Sequence, residues 1–405
     1  MVKNIKILGD VKLTKDLSLL LMIGGLYSLS IALSNTFVNI YLWKQTGKYS
    51  DIALYNLSTV VLQLLTFILA GRWAKKIDRV IVLRIGVIFL ALFYVMVLIS
   101  GTSASTYLLL LGSLLGVGYG FYWLAFNVLT FEITEPDTRD FFNGFLGILT
   151  SAGGMIGPIA AGIIITGFEQ FTGYTIVFGL SLGLFALAVF MSFSLKPRPS
   201  AGSYCFKKIL NERKQNENWR LITNANFFQG LREGTFAFVI SVLVYLSTGS
   251  EMSLGTFGLL NSGISCIAYY LASRLIKQRF RKKAILIGGL LLYTAVLIIV
   301  WDVNFVKLLI YGGIIAIAYP LLLVPYMSTT YDVIGTGWKA AEMRIEYIVV
   351  REIFLNLGRI ISILSFLAAI TWFKAETSIP IILLILGAGH TCIYLFLKRV
   401  QLPTT

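Results

Sequence analysis

The chain has 405 residues, 57% of them apolar and only 13% charged, and its mean hydropathy is +0.82. Soluble domains carry about 25% charged residues, so this composition excludes a soluble enzyme, a disordered tail and a disulfide scaffold and points to a multi-span α-helical membrane protein. The net charge of +15 does not mark a nucleic-acid surface, because the basic residues sit in short segments between apolar runs, as membrane topology requires.

A span needs about 20 mostly apolar residues. Twelve such runs are predicted: 17–43, 51–71, 81–100, 106–131, 141–166, 174–195, 221–247, 255–273, 283–301, 307–329, 344–372 and 379–397. They are continuous, unlike the alternating strands of an outer-membrane barrel. Lys3, Lys6, Lys12 and Lys15 precede the first run as in a signal peptide, but no small-residue cleavage site follows, so it reads as a span. With the N-terminus placed in the cytoplasm, 27 of the 34 Lys and Arg residues fall in or beside cytoplasmic segments. Both termini of a multi-pass cell-membrane protein are therefore expected inside. Trp43, Trp73, Trp219, Trp301, Trp338 and Trp372 fall near span ends, as interfacial anchors should, and Trp123 lies within span four. The polar segment 196–220 separates an N-terminal unit, 1–195, from a C-terminal unit, 221–405. Thr46-Gly47 matches Thr248-Gly249, and Gly71-Arg72 with Lys75 matches Ser273-Arg274 with Lys277, all at an offset of 202, the mark of a duplication.

Span one carries Asn35 and Asn39 one turn apart, with Ser30 and Ser34 nearby. The loop after span two reads Gly71-Arg-Trp-Ala-Lys-Lys-Ile-Asp-Arg79. Span four places Tyr119, Trp123 and Asn127 along one stripe, a surface of aromatic faces and amides that suits an amphipathic or cationic ligand, or hydrogen bonding between helices. Glu132, at the cytoplasmic end of that span, is expected to pair with Arg72 or Arg79. Span five contains Gly144, Gly153, Gly157-Pro158 and Ala161-Gly162. Small residues at this spacing let backbones approach in lipid, and the proline kinks the helix.

Span seven carries Asn226, Gln229, Arg232 and Glu233; span eleven carries Glu346, Arg351, Glu352, Asn356 and Arg359. An ionisable group at mid-bilayer costs roughly 2.5–3.5 kcal/mol on insertion scales, so each needs a partner or a wet cavity. The helical spacing puts Asn226, Gln229 and Glu233 on one face, with Arg232 beside it, and Glu352, Asn356 and Arg359 on another. Two readings stand side by side: Glu233 or Glu352 loads and releases a proton as an arginine moves, or a permanent ion-pair network locks the two spans. Glu346 reads as a solvated boundary charge, Lys75 as a charge beside a helix C-terminus with no transport role, and lone His390 in span twelve as a structural hydrogen-bonding group. Pro320 and Pro325 bend span ten.

Two of these motifs give the whole chain a likeness. The 71–79 loop resembles the G-x-x-x-D-R-x-G-R-[KR] loop of the major facilitator superfamily, with Lys75 where that family has its acid and Asp78 where it has its second glycine. Span five resembles the G-x8-G-x3-G-P-x2-G-G pattern of the family's antiporters, with Ala161 replacing one glycine. The resemblance implies an all-α membrane fold of twelve transmembrane helices in two pseudo-symmetric six-helix bundles. In that fold spans one, four, seven and ten line a central cavity and span twelve is peripheral. It also implies that Gly71, Arg72, Arg79, Glu132, Gly153, Gly157 and Pro158 serve gating. The expected activity is secondary active transport by alternating access, as a proton-coupled exporter of a small amphipathic or cationic compound. Proton coupling would fall to Glu233, Glu352, Arg232 and Arg359, and substrate binding to Asn35, Asn39, Tyr119, Trp123, Asn127, Gln229 and Asn356. The alternatives are a symporter or facilitator importing a polar or anionic solute such as a sugar, and a flippase for a lipid-linked precursor. The expected partners are a small-molecule substrate, protons and membrane lipids, with the chain working as a monomer. No phosphate-cradling loop, metal-ligand spacing or Ser-His-Asp set occurs, so no enzyme activity, cofactor or metal is expected.

Overall fold

The computed structural model describes residues 14–133, 136–169, 171–197 and 203–401, with the side chains of 131, 136–141, 143, 144, 273 and 274 left aside. Among these residues every regular element is helical. The first half contains α1 (Lys15–Thr46), α2 (Tyr49–Ala74), α3 (Arg79–Ser100), α4 (Leu108–Ile133), α5 (Pro136–Gly167) and α6 (Thr172–Ser192). A short helix, α7 (Phe206–Glu212), sits in the polar segment. The second half contains α8 (Glu217–Thr248), α9 (Glu251–Leu275), α10 (Arg281–Val300), α11 (Phe305–Gly335), α12 (Arg344–Trp372), α13 (Ala375–Gly387) and α14 (Gly389–Leu397).

Among the described residues, eleven apolar helical stretches are long enough to cross a membrane. One of them, Arg79–Thr130, turns back through a 3-10 segment at Gly101–Tyr107, so that α3 and α4 pack side by side. The last crossing is broken between α13 and α14. The result is twelve crossings in two six-helix halves, the architecture of a multi-pass membrane protein. Local sequence sets the helix ends: Thr14, Asp78, Asn216, Ser250 and Asn304 each cap an N-terminus through a side-chain oxygen. The duplication is visible at two C-caps. Gly47 and Gly249 adopt left-handed φ values of 63° and 68°, and their N–H groups bond back to Trp43 and Tyr245. Thr46 and Thr248 each then accept from the N–H two residues on, at 3.2 Å. The side chains of the Ser273-Arg274 match lie outside the described residues.

Crossings alternate in direction, so the α2–α3, α9–α10 and α11–α12 turns share the face of the 203–216 segment, here the linker face. The α1–α2 and α8–α9 turns lie on the opposite face. The halves meet chiefly where α5 packs on α9 and α2 on α12. The small residues of span five divide between two jobs. Gly153 and Gly157 face α1 within their own half, where an added Cβ would lie 3.3 Å from Leu29 Cα and 2.8 Å from the Ala32 carbonyl carbon. Gly154, Pro158 and Gly162 face α9 across the halves; a Cβ at Gly258 would sit 2.7 Å from Pro158 Cβ. Gly144 has no described surroundings. The tryptophans divide too. Trp301 and Trp372 are exposed, whereas Trp219 is fully buried and donates to the Ile209 carbonyl at 3.2 Å, so it is a core residue and not an interfacial anchor.

Candidate functional site

Two glycines bring the backbones of α8 and α12 together. A Cβ at Gly230 would lie 3.0 Å from the Arg359 nitrogen, and one at Gly234 would lie 2.9 Å from Arg359 Cα. The close approach carries Arg359 to Glu233 halfway along both helices, with Arg359 Nη2 donating to Glu233 Oε2 at 2.6 Å. Gln229, one turn from Glu233, donates to its Oε1 at 2.8 Å, and Tyr319 of α11 donates to the same oxygen at 3.2 Å. Arg359 also donates to Asn356 at 3.3 Å. Three helices thus converge on one carboxylate, and among the described residues all its hydrogen bonds are to side chains.

The first half supplies the facing side. Tyr119 donates to Asn35 at 3.3 Å, and its hydroxyl feels the charge of Arg359 across the halves. Trp123, half-buried, meets Tyr27 edge-on at 5.2 Å between ring centres, in an aromatic cluster with Tyr122 and Phe126. Asn39 accepts from Asn56 of α2 at 2.9 Å, a helix-to-helix bond inside the first half. Asn127 is half-buried and makes no hydrogen bond among the described residues. Asn226 donates to its own helix at Ile222.

Of the four charges grouped on the sequence, the structure joins Glu233 with Arg359 and sets Glu352 and Arg232 apart from them. Glu352 pairs with its neighbour Arg351 at 2.5 Å, not with Arg359. Arg232 does not join Glu233. It follows Leu231 in α8 and points toward α14, because consecutive helical residues are about 100° apart. Its guanidinium sits 4.6 Å from the Phe236 ring. His390 is fully buried and neither ring nitrogen has a hydrogen-bond partner, so the expected structural hydrogen bond is not there. Tyr319 was overlooked in the sequence; a phenol beside Pro320, in a span that lines the cavity in the resembling family, was its only signal.

Two further ion pairs bridge the halves near the faces. On the linker face Lys75, the residue that caps the end of α2, reaches α12, with Nζ 3.3 Å from Glu346 Oε1 and donating to the Glu342 carbonyl at 2.7 Å. The Cys205 N–H donates to the same Glu346 oxygen at 3.1 Å. Glu346 is fully buried and not a solvated boundary charge, and Lys75, 7% exposed, is not a bystander. Gly71 permits this contact, since a Cβ there would lie 2.7 Å from Val349 Cγ2 and 2.8 Å from the Tyr204 hydroxyl. Burial, and after it the Glu346 carboxylate, raises the Tyr204 phenol above its ordinary value and keeps it neutral. The acid missing from the 71–79 loop has thus been replaced by a base, and a glutamate on the other half answers it. Arg79 pairs with Glu132 at 2.8 Å, whereas Arg72 is exposed and takes no part. On the opposite face Lys44 of α1 pairs with Glu251 of α9 at 2.8 Å, and Tyr174 of α6 donates to the same oxygen at 2.8 Å.

Twelve crossings in two halves, a polar centre built from both and ion pairs between them near each face define a membrane transporter. The family model of the Major Facilitator Superfamily matches residues 20–361, and the chain belongs to that family; it is a transporter and not an enzyme. It is 63% identical over 396 residues to the uncharacterized protein YqgE of Bacillus subtilis strain 168, covering 98% of this chain and 92% of that protein. It is 67% identical over 173 residues to an uncharacterized protein in the sodM 3′ region of Geobacillus stearothermophilus, covering 43% of this chain and 81% of that one. Two solved structures share the fold. The human organic anion transporter MFSD10 (TETRAN) has a TM-score of 0.68 and 16% identity, covering 94% of this chain and 98% of that one. A mutant of the nucleoside transporter NupG has a TM-score of 0.71 and 13% identity, covering 95% of this chain and all of that one.

Proposed function

We propose that this chain is a proton-coupled antiporter that exports a small amphipathic compound from the cytoplasm, with the linker face inside. One observation carries the reading: the Glu233 carboxylate, halfway across the second half, is held by Arg359, Gln229 and Tyr319 and by no backbone group. All three partners are movable side chains. When Arg359 leaves, the carboxylate loses its countercharge and takes a proton; when Arg359 returns, the proton is released. Tyr119 and Asn35 present an aromatic face and an amide opposite Arg359, so substrate that engages them competes for the same guanidinium. The linker-face orientation rests on the Lys and Arg excess there. Export rests on the span-five resemblance, whose Pro158 and Gly162 face α9 across the halves.

The experiment uses everted membrane vesicles acidified inside, with a pH-sensitive dye. Adding a transported amphipath to wild-type vesicles collapses the gradient as lumenal protons leave. Glu233→Gln retains binding, read as substrate-dependent thermal stabilisation, and loses the collapse. If Glu233→Gln collapses the gradient as wild type does, the proton does not travel on Glu233 and the coupling assignment is wrong.

A further inference from the structure

The charges along α8 and α12 do not balance. Arg359 is taken by Glu233 and Arg351 by Glu352, which leaves Arg232 with no carboxylate. It is 5% exposed, and its Nε and Nη2 are buried with no hydrogen-bond acceptor. Its neighbours are the Phe236 ring and the neutral Tyr311 hydroxyl. A ring face and a phenol offset a buried guanidinium only partly, and an uncompensated buried charge is among the costliest features a fold can carry.

Beside it stands a second orphan. A Cβ at Gly389 would lie 3.2 Å from the Arg232 nitrogen, so the start of α14 is pressed onto Arg232. The next residue, His390, is fully buried, lies within electrostatic reach of Arg232, and has neither ring nitrogen bonded. An imidazole in any form carries at least one N–H. Donors therefore come from α8 and α14, and the acceptors beside them among the described residues, the Tyr311 hydroxyl and the unprotonated ring nitrogen of His390, carry no negative charge. Glu233, the nearest acid in sequence, has Oε2 committed to Arg359 and Oε1 to Gln229 and Tyr319. The Tyr319 ring lies 5.7 Å from that of His390 and its hydroxyl donates to Glu233, which also acts electrostatically on His390, so the two sites adjoin.

We propose that Arg232 and His390 form a binding site for a small monovalent anion, whose single negative charge balances Arg232. Its source is either a halide ion held as a structural partner or the carboxylate of a substrate. The site adjoins Glu233, but anion-dependent stability and proton coupling at Glu233 are read by separate measurements, so failure of one is distinguishable from failure of the other.

The test is thermal unfolding of the purified full chain in detergent, in sodium sulfate at constant ionic strength, with chloride or acetate titrated in. Saturable stabilisation of about 2 °C or more by chloride identifies a halide site; the same response to acetate alone identifies a carboxylate site. No response to either overturns the proposal without recourse to any variant. Arg232→Met is expected to match or exceed wild-type stability in sulfate alone and to lose the anion response. His390→Leu is expected to weaken the apparent affinity about tenfold, the loss of one charge-assisted donor. An undiminished response in either variant removes that residue and sinks the two-residue site.

Discussion

The linker face and the opposite face are each held by a lysine of the first half and a glutamate of the second, yet the two pairs sit in different surroundings. At Lys75–Glu346 the side chains are 6% and 0% exposed, while at Lys44–Glu251 they are 30% and 9% exposed. The buried pair is tied to backbone as well, through the Cys205 N–H and the Glu342 carbonyl. Among the described residues, the further hydrogen bond to the opposite-face pair comes from the Tyr174 hydroxyl. Breaking a buried pair leaves a desolvated charge behind, whereas an exposed lysine simply returns to water. The proposed alternating access thus predicts that the opposite face opens first from this conformation.

The largest expected effect comes from removing one member of the buried pair. Lys75→Met strands Glu346 and should cost about 3–5 kcal/mol in unfolding experiments in detergent. Lys75→Met with Glu346→Leu should recover most of that loss. Lys75→Glu with Glu346→Lys should recover only part, because the exchanged charges face a backbone N–H and a carbonyl of the wrong polarity. Full recovery by the exchange would show that those backbone partners contribute nothing.

Next in size is Gly71→Val, which drives a branched side chain into Val349 and Tyr204 and should cost about 1–3 kcal/mol by overpacking. The same measurement on Gly147→Val, at a position with nothing within 4 Å of an added Cβ, should show far less. Equal losses would remove the close-approach explanation.

The smallest stability change is expected from Lys44→Met, about 1 kcal/mol or less. Its readout is conformational: a cysteine placed by Asn56→Cys should react faster with a membrane-impermeant maleimide from the opposite face when Lys44 is replaced. An unchanged labelling rate would mean that the Lys44–Glu251 pair does not hold that face.

Much of the fold was legible along the chain, because apolar run length, caps and charge bias are local quantities. The twelve crossings, the Thr-Gly turns that repeat in the two halves and the small-residue face of span five all follow from neighbours within a few residues. Part of the site was legible for the same reason: Gln229 with Glu233, and Asn356 with Arg359, are one helical turn apart. Glu346 was misread because its position near a span end suggested water, while the partners that bury it, Lys75 and the Cys205 N–H, arrive from α2 and the linker. Arg232 was misread because adjacency in sequence suggested a shared site, although adjacent helical residues face different neighbours. Tyr319 went unseen, since an uncharged phenol in an apolar run raises no local alarm.

The sequence by itself determined that this chain lives in a bilayer, how often it crosses and which few residues are too polar for lipid. Only the tertiary structure decided which arginine meets which glutamate, that a reversed ion pair ties the linker face together, and that one guanidinium is left over. The division has a physical cause. Insertion into a membrane is governed by the summed transfer free energy of contiguous residues, whereas charge pairing at a few ångströms depends on which helix faces meet, and here glycines hundreds of residues from some of their partners set those meetings.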